Sequence, residues 1–329
     1  MNALPDGLGR FLDSAGWSGA VIDPIPGDAS FRRYFRIRHG ARHAMLMHAP
    51  PPHEDPQPFL DVAAWLTDNG LRAPAIHAAD PQQGWVLLED FGDDRMRDWL
   101  DLHPQGEGAA YGAAIDALVA LHACPPGPFP AYDMATYQRE AALLVEWYCP
   151  AVGIEVDVPG YAGAWEQVLS PLLARQSPGV TVLRDYHAEN IMLLEPGARG
   201  GGGQGLIDFQ DALVGHPAYD LVSLLQDARR DVSPELEQSM LDRYLSQVDA
   251  GDKFMADYAR LGAHRNAKIV GIFARLHKRD GKPRYLSMIP RVWAAMERDL
   301  AHPALGPVAA WFDRNIPRRL RDKFGGAIA

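Results

Sequence analysis

The chain has 329 residues, 47% of them hydrophobic, and a formal charge of −10 at neutral pH. That length supports one large core or two lobes, and the apolar content excludes a mostly disordered chain. The acidic balance argues against a general nucleic-acid binder, because phosphate backbones need basic stripes.

The first part reads as β-rich. Val21 to Ile25 forms a strand that leads into the turn Gly27-Asp28-Ala29-Ser30. From Phe31 to Arg38 the residues alternate, with Phe31, Phe35 and Ile37 on one face and Arg32, Tyr34, Arg36 and Arg38 on the other. That is the period of a half-exposed strand. His39 to Arg42 connects it to a strand over Ala44 to His48, which Pro50-Pro51-Pro52 ends. Phe59, Val62, Ala63 and Leu66 have helical spacing, and Gly70 is placed to stop that helix. Pro74 to His77 and Trp85 to Leu88 are further strands around the turn Asp80 to Gly84.

After Asp90-Phe91-Gly92 helical periodicity takes over. Tyr111, Ile115, Leu118 and His122 line one face, and Tyr137, Ala141, Leu144, Val145 and Tyr148 line another. Ser233-Pro234-Glu235 is a helix start, with a capping hydroxyl, a proline in the first turn and an acid at the positive end of the dipole. Asp252 to His277 is a long helical run. The expected architecture is α+β, with a β-rich lobe over 1–88, a connector over 89–92 and a larger, mainly helical lobe over 93–329.

Inside that second lobe a short strand, Val180 to Leu183, delivers Arg184-Asp185-Tyr186-His187-Ala188-Glu189-Asn190. Ile191 to Leu194 then leads into the loop Glu195 to Gly205, and Leu206-Ile207 returns to Asp208. The glycine-rich loop lacks the Gly-Lys-Ser/Thr ending of a P-loop and no helix follows, so it is a hairpin tip. The hairpin brings two carboxylates 23 positions apart within one ion's reach, with an amide between them in sequence. One acid to receive a hydroxyl proton, with an amide oxygen and a second carboxylate to hold magnesium, is the chemistry of phosphoryl transfer. Backbone amides of Gly27, Asp28 and Ala29, with the Ser30 hydroxyl, suit a nucleotide's phosphates, although the same residues make any hairpin turn.

Cys124 and Cys149 fit a reducing compartment and have no zinc-ligand spacing, so buried thiols are expected. No basic segment followed by an apolar run opens the chain, and no stretch reaches membrane-spanning length. The expected location is the cytoplasm, with no membrane, nucleic-acid or protein partner implied.

Arg184 to Asn190, together with Leu206-Ile207-Asp208-Phe209-Gln210-Asp211, resembles the catalytic and metal motifs of the aminoglycoside phosphotransferase-like kinases. The resemblance runs from the Gly27 loop through Leu88-Glu89-Asp90-Phe91-Gly92 to Asp220. It implies a two-lobed protein-kinase-like fold that uses ATP and Mg2+. Asp185 is then the catalytic base, Asn190 and Asp208 are magnesium ligands, and Asp220 braces the catalytic loop. Backbone groups of Leu88, Glu89 and Asp90 take the adenine. Two departures stand out. Met47 occupies the position where relatives carry a lysine for the phosphates, leaving Arg32 or Arg33 to supply that charge, and Leu183 stands where many relatives have histidine.

Longer segments resemble the bacterial cell-wall amino-sugar kinases, which phosphorylate N-acetylmuramate and N-acetylglucosamine at the anomeric hydroxyl. They are Gly27 to Arg36, Met47 to Pro51, Glu146-Trp147-Tyr148, Asp208 to Ala212, Gly271 to Leu276 and Arg279 to Lys282. That resemblance implies a small-molecule sugar substrate and a part in cell-wall sugar recycling. Trp147 and Tyr148 are the rings available to stack on a sugar, although plain helix packing serves them equally well. Arg265, Lys268 and Arg275 form a basic helical region suited to a lactyl carboxylate, with a solvated helix face as the alternative. His187 and Asp211 complete the acceptor side. The competing expectations are a kinase for an aminoglycoside, choline or homoserine, and a non-catalytic nucleotide-binding module.

Overall fold

The computed structural model describes residues 4–25, 31–194, 203–323, 325, 326 and 328. The chain begins with α1 (Leu8–Ser14), β1 (Val21–Ile25), β2 (Arg33–His39), β3 (Arg42–His48), α2 (Gln57–Asp68), β4 (Ile76–Asp80) and β5 (Trp85–Leu88). It continues with α3 (Met96–Leu102), α4 (Glu107–Ala123), α5 (Met134–Leu143), a π-helical turn over Leu144–Tyr148, α6 (Cys149–Ala151) and α7 (Val158–Gln176). Four short strands follow: β6 (Val180–Val182), β7 (Ile191–Leu193), β8 (Gln204–Leu206) and β9 (Leu213–Gly215). The rest is helical: α8 (Ala218–Leu225), α9 (Pro234–Leu245), α10 (Phe254–Lys278), α11 (Ile289–Leu300), α12 (Gly306–Asn315) and α13 (Arg318–Arg321). The expected phosphate-covering turn, Gly27, Asp28, Ala29 and Ser30, lies outside the described residues, as does most of the Glu195 to Gly205 loop. Among the described residues no helix is long and apolar enough to cross a membrane.

Two compact units divide the chain, residues 1–99 with 190–211, and residues 100–189 with 212–329. This division differs from the one expected. The segment 89–92 lies within the first unit, and the β7–β8 hairpin returns to that unit although the chain on either side of it belongs to the second. Hydrogen bonds explain the return. Leu206 N–H donates to Arg72 O and Leu193 N–H to Asp94 O, each at 2.8 Å. Phe209 stacks on Phe59 of α2 with ring centroids 4.9 Å apart.

The first unit is built on an antiparallel sheet in the order β1-β2-β3-β5-β4. Pro24 is tolerated because β1 is an edge strand, where a missing N–H costs nothing. Strand alternation gives the sheet two different faces. One carries Phe35, Ile37, Ala44, Leu46, Trp85 and Leu87, which pack with Leu8, Phe11 and Leu12 of α1. That helix is absent from the sequence-based expectation. Seven residues flanked by glycine are too short to be stable alone, so the packing makes the helix. The other face carries two rows set by register, Tyr34–Met47–Val86 and Arg36–Met45–Leu88.

In the second unit, β6 pairs antiparallel with β9, and α10 is the central helix, buried along most of its length. Ser233 caps α9 as its sequence implies, accepting from Leu236 N–H at 3.1 Å. Cys149 is buried and Cys124 only partly so, and both are free thiols. Gly271 lets α10 lie against the end of α5, where a Cβ would come within 2.3 Å of the Leu143 carbonyl carbon. Gly271→Ala is therefore expected to destabilise by about 2 kcal/mol through overpacking. Gly163→Ala on α7, with nothing within 4 Å, is expected to be neutral or to gain about 0.5 kcal/mol. Urea unfolding of the two variants checks this, and equal midpoints would refute the close approach.

Candidate active site

Asp185, the acid expected to take the proton, follows a backbone forced into an unusual shape. Arg184 has a φ of 69°, in the left-handed region that non-glycine residues avoid. The buried Asp220 carboxylate holds that shape, accepting from Leu183 N–H at 2.6 Å and Arg184 N–H at 2.8 Å. Two further tight turns follow, Asp185 N–H to Leu183 O at 2.8 Å and His187 N–H to Asp185 O at 3.1 Å. Burial pushes the Asp220 carboxyl up to about 7, against the two backbone donors and Arg265, which favour its charged form.

The Asp185 side chain is 45% exposed, so a substrate can reach it. Desolvation raises its pKa, but the fields of Lys268, Arg265 and Arg184 outweigh that and bring it below the ordinary carboxylate value. The acid is thus ionised at neutral pH and able to accept a proton. Arg265, on α10 and only 3% exposed, donates from Nη2 to Ser223 Oγ at 2.8 Å and stands 4.0 Å from Asp185 Oδ1. Its buried Nη1 has no acceptor among the described residues.

Beneath the loop lies a charged cluster with no local signature in the sequence. Buried Glu140 of α5 accepts from the Arg184 guanidinium, from the Tyr132 hydroxyl and from Lys268 Nζ, the last at 2.9 Å. Burial raises the Glu140 pKa, but Lys268 and Arg184 prevail and hold it near about 2. Lys268 also donates to Tyr219 Oη at 3.3 Å, so this residue, expected on the substrate side, is committed to supporting the loop. Arg229 and Asp227 were likewise unforeseen. Asp227 accepts from Arg229 N–H at 2.8 Å, while Arg229 pairs with Glu189 at 2.9 Å and lies 3.1 Å from His187 Nε2. An arginine can only donate, so Nε2 accepts and the neutral ring carries its proton on Nδ1.

The other expected site residues divide. Tyr148 is corrected: it is fully buried, 5.1 Å from the Trp293 ring, with its hydroxyl donating to Gly325 O at 2.7 Å, so it offers no face to a sugar. Trp147 is half-buried in the π-helical turn. Arg275 is half-buried and ten residues beyond Arg265, about 15 Å along the α10 axis at 1.5 Å per residue.

In the first unit, Asn190 and Asp208 end adjacent strands, and Asn190 Nδ2 lies 3.4 Å from Asp208 Oδ2. Asp208 has a φ of 58°, the second left-handed non-glycine residue of the described chain. Turning the amide over would present two hard oxygen donors to one cation, which fits magnesium. No group of three or more His, Cys, Asp or Glu side chains suited to a metal occurs among the described residues, so an ion there would complete its shell with water and phosphate. Gln210 Nε2 donates to Asp208 Oδ1 at 3.1 Å and lies 3.4 Å from Asp211, which is exposed.

Near the expected adenine segment, Glu89 N–H already donates to Ala75 O at 2.9 Å, and its carboxylate is held by Arg72 and Ala75 N–H. The Asp90 carboxylate is bound by Arg36 at 2.6 Å, which also reaches Gly92 O and Asp93. Those side chains are committed to shaping the segment.

A strained, braced acid loop and an Asn–Asp pair closing a small hairpin define a phosphotransferase-type chain. Residues 21–264 match the family described as phosphotransferase enzyme family, and the chain belongs to it. It is 39% identical to the N-acetylmuramate/N-acetylglucosamine kinase of Caulobacter vibrioides, over 94% of this chain and 96% of that one. It is 38% identical to the protein of the same name from Pseudomonas aeruginosa, over 89% of each. Among solved structures, the choline kinase LicA of Streptococcus pneumoniae superposes with a TM-score of 0.62 at 12% identity, covering 92% of this chain and 98% of that one. Aminoglycoside phosphotransferase APH(2'')-Ib gives 0.58 at 13% identity, covering 94% and 99%. These likenesses establish the protein-kinase-like phosphotransferase fold.

His187 yields a pH prediction. Burial holds its pKa down at about 4, against an ordinary 6.5. The unfolded chain takes up a proton near pH 6.5 that the folded chain refuses until about pH 4, so stability is lost as pH falls through that window. His187→Gln lacks this proton, and the stability difference is expected to shift in favour of the variant between about pH 7 and about pH 4.5. Urea unfolding at several pH values checks it, and a pH-independent difference would exclude a buried neutral ring.

Proposed function

We propose that this chain transfers the γ-phosphoryl group of ATP to the anomeric hydroxyl of N-acetylmuramate or N-acetylglucosamine, in the cytoplasm, feeding cell-wall sugar recycling. The observation that carries the substrate class is the 35–39% identity to four relatives named N-acetylmuramate/N-acetylglucosamine kinase, over most of each chain. The accessible, ionised Asp185 supports the reaction class.

In this mechanism the Asp185 carboxylate orients the sugar hydroxyl and accepts its proton. The hydroxyl oxygen bonds to the γ-phosphorus as the bond from that phosphorus to the β–γ bridging oxygen breaks, and ADP departs with the electron pair. Little covalent work is asked of the protein, which contributes position and charge. Asn190 and Asp208 would hold magnesium, which when bound neutralises charge on the phosphates. Backbone groups of Leu88 to Asp90 would receive the adenine.

On the acceptor side, Arg265 Nη1 is a buried donor beside the acid. It suits a sugar oxygen or the lactyl carboxylate of N-acetylmuramate. A fixed guanidinium there also disfavours choline and polycationic aminoglycosides, whose ammonium groups it would repel. Arg275 is too far along α10 to share that contact, and we assign Trp147 and Asp211 only to the outer part of the acceptor region.

Asp185→Asn is expected to bind ATP normally and to lose about a thousandfold or more in kcat. Isothermal titration with ATP and a coupled ADP assay check this. Near-normal turnover by a folded variant would remove Asp185 from the role. Phosphorus NMR of the wild-type product should show phosphate coupled to the anomeric proton; phosphate on any other hydroxyl, or turnover only with choline or an aminoglycoside, would sink the proposed acceptor.

A further inference from the structure

N-acetylmuramate differs from N-acetylglucosamine by one lactyl ether, which brings a carboxylate into the acceptor site. A carboxylate taken out of water needs a cation with a donor to give. The cations around the acid loop are mostly committed elsewhere. Lys268 and Arg184 bind Glu140, Arg230 binds Asp101 and Glu107, and Arg291 binds Asp231. Arg265 stands beside Asp185, but only 3% of it is exposed and its Nη1 is buried.

Arg229, in the segment after α8, differs in access, since its side chain is 27% exposed. Its backbone N–H donates to Asp227 Oδ1 at 2.8 Å, its Nε stands 2.9 Å from Glu189 Oε2, and its Nη1 lies 3.1 Å from His187 Nε2. The segment is itself held from α11, where Arg291 donates to Ala228 O at 3.0 Å and pairs with Asp231. Asp227 turns its carboxylate to backbone N–H groups, those of Arg229 and, at 3.4 Å, Ala188, rather than to the guanidinium. With Nε and Nη1 both occupied the guanidinium plane is set, while Nη2 has no hydrogen-bond partner among the described residues. A planar guanidinium fixed in this way offers its outer N–H groups to a carboxylate.

The position is also right for the acceptor. His187 and Glu189 lie two and four positions beyond Asp185 in the acid loop. The fields of Asp185, Arg229 and Arg265 all reach the His187 ring, so the acid and two guanidiniums gather about one side chain. Of those two guanidiniums, Arg229 is the accessible one.

Resting on the amino-sugar kinase reading above, we propose that Arg229 receives the lactyl carboxylate of N-acetylmuramate and sets the preference for the acidic sugar. Arg265 is then left to the sugar's own oxygens. Glu189 and His187 are positioning residues for the Arg229 guanidinium.

The test is steady-state kinetics of the full chain with N-acetylmuramate, its methyl ester and N-acetylglucosamine. The informative quantity is the ratio of kcat/KM for N-acetylmuramate to that for N-acetylglucosamine, because loosening His187 and Glu189 slows both sugars alike. Arg229→Met is expected to lower that ratio about 10- to 100-fold, mainly through KM for N-acetylmuramate. The wild type should favour the free acid over its methyl ester about tenfold or more, and Arg229→Met should lose that preference. Arg229→Lys keeps the charge without the fork and should recover only part of the ratio. An unchanged ratio in Arg229→Met overturns the inference, as does a wild type that treats acid and ester alike. If Arg229→Met does not fold, an unchanged ratio in Arg229→Lys overturns it instead. Phosphorylation of both sugars with an unaffected Arg229→Met removes this inference alone, whereas a wild type that phosphorylates neither sugar removes the proposed function with it.

Discussion

The second unit depends on one buried carboxylate. Asp220 sits in the first turn of α8 and takes the backbone N–H groups of Leu183 and Arg184, residues 37 and 36 positions earlier. Those two bonds, together with the tight Asp185 N–H to Leu183 O turn, hold Arg184 at positive φ, a conformation that costs about 1 kcal/mol or more. With them, the chain leaving β6 turns sharply and presents Asp185 outward while Tyr186 and His187 turn into the core. The cost of burying Asp220 appears in its raised pKa, and the geometry of the acid loop is what that cost secures.

The charges around the loop act as a supported layer. Glu140 gathers Arg184, Lys268 and Tyr132 in a buried cluster, where breaking one partner is far more costly than the pair is stabilising. Arg265 is set apart from that cluster, anchored through Ser223, and so faces Asp185 with a donor to spare. The same helix, α10, supplies both cations three residues apart, which is why its burial matters for the chemistry.

The first unit solves a different problem with strand alternation. One sheet face is closed by α1 and the other keeps an apolar platform, Met45, Met47, Val86 and Leu88, bordered by Arg32, Tyr34 and Arg36. Arg36 fixes the segment after β5 through Asp90, Asp93 and Gly92 O. The β7–β8 hairpin joins this unit through main-chain bonds, and it carries Asn190 and Asp208 with it.

Much of this was legible in the sequence, because periodicity and turn chemistry are local. The strands over Phe31 to His48, the exact Trp85 to Leu88 strand, the Ser233 cap and the Ile191–Leu206 hairpin follow from alternation, capping and spacing. The Asp185, Asn190 and Asp208 motif was also plain, since side-chain types at fixed offsets are encoded directly. Tertiary structure alone decided which cations and rings were available. Arg32 and Arg33 are neighbours in sequence, yet Arg33 lies against the Phe35 ring on the face that α1 covers while Arg32 pairs with Glu54 before α2. On sequence alone Tyr148 suited a sugar or helix packing and Lys268 a substrate or solvent, until Trp293 and Glu140, 145 and 128 residues distant, claimed them. Partners that far apart leave no local signature, because the contact energy exists only once the chain has folded.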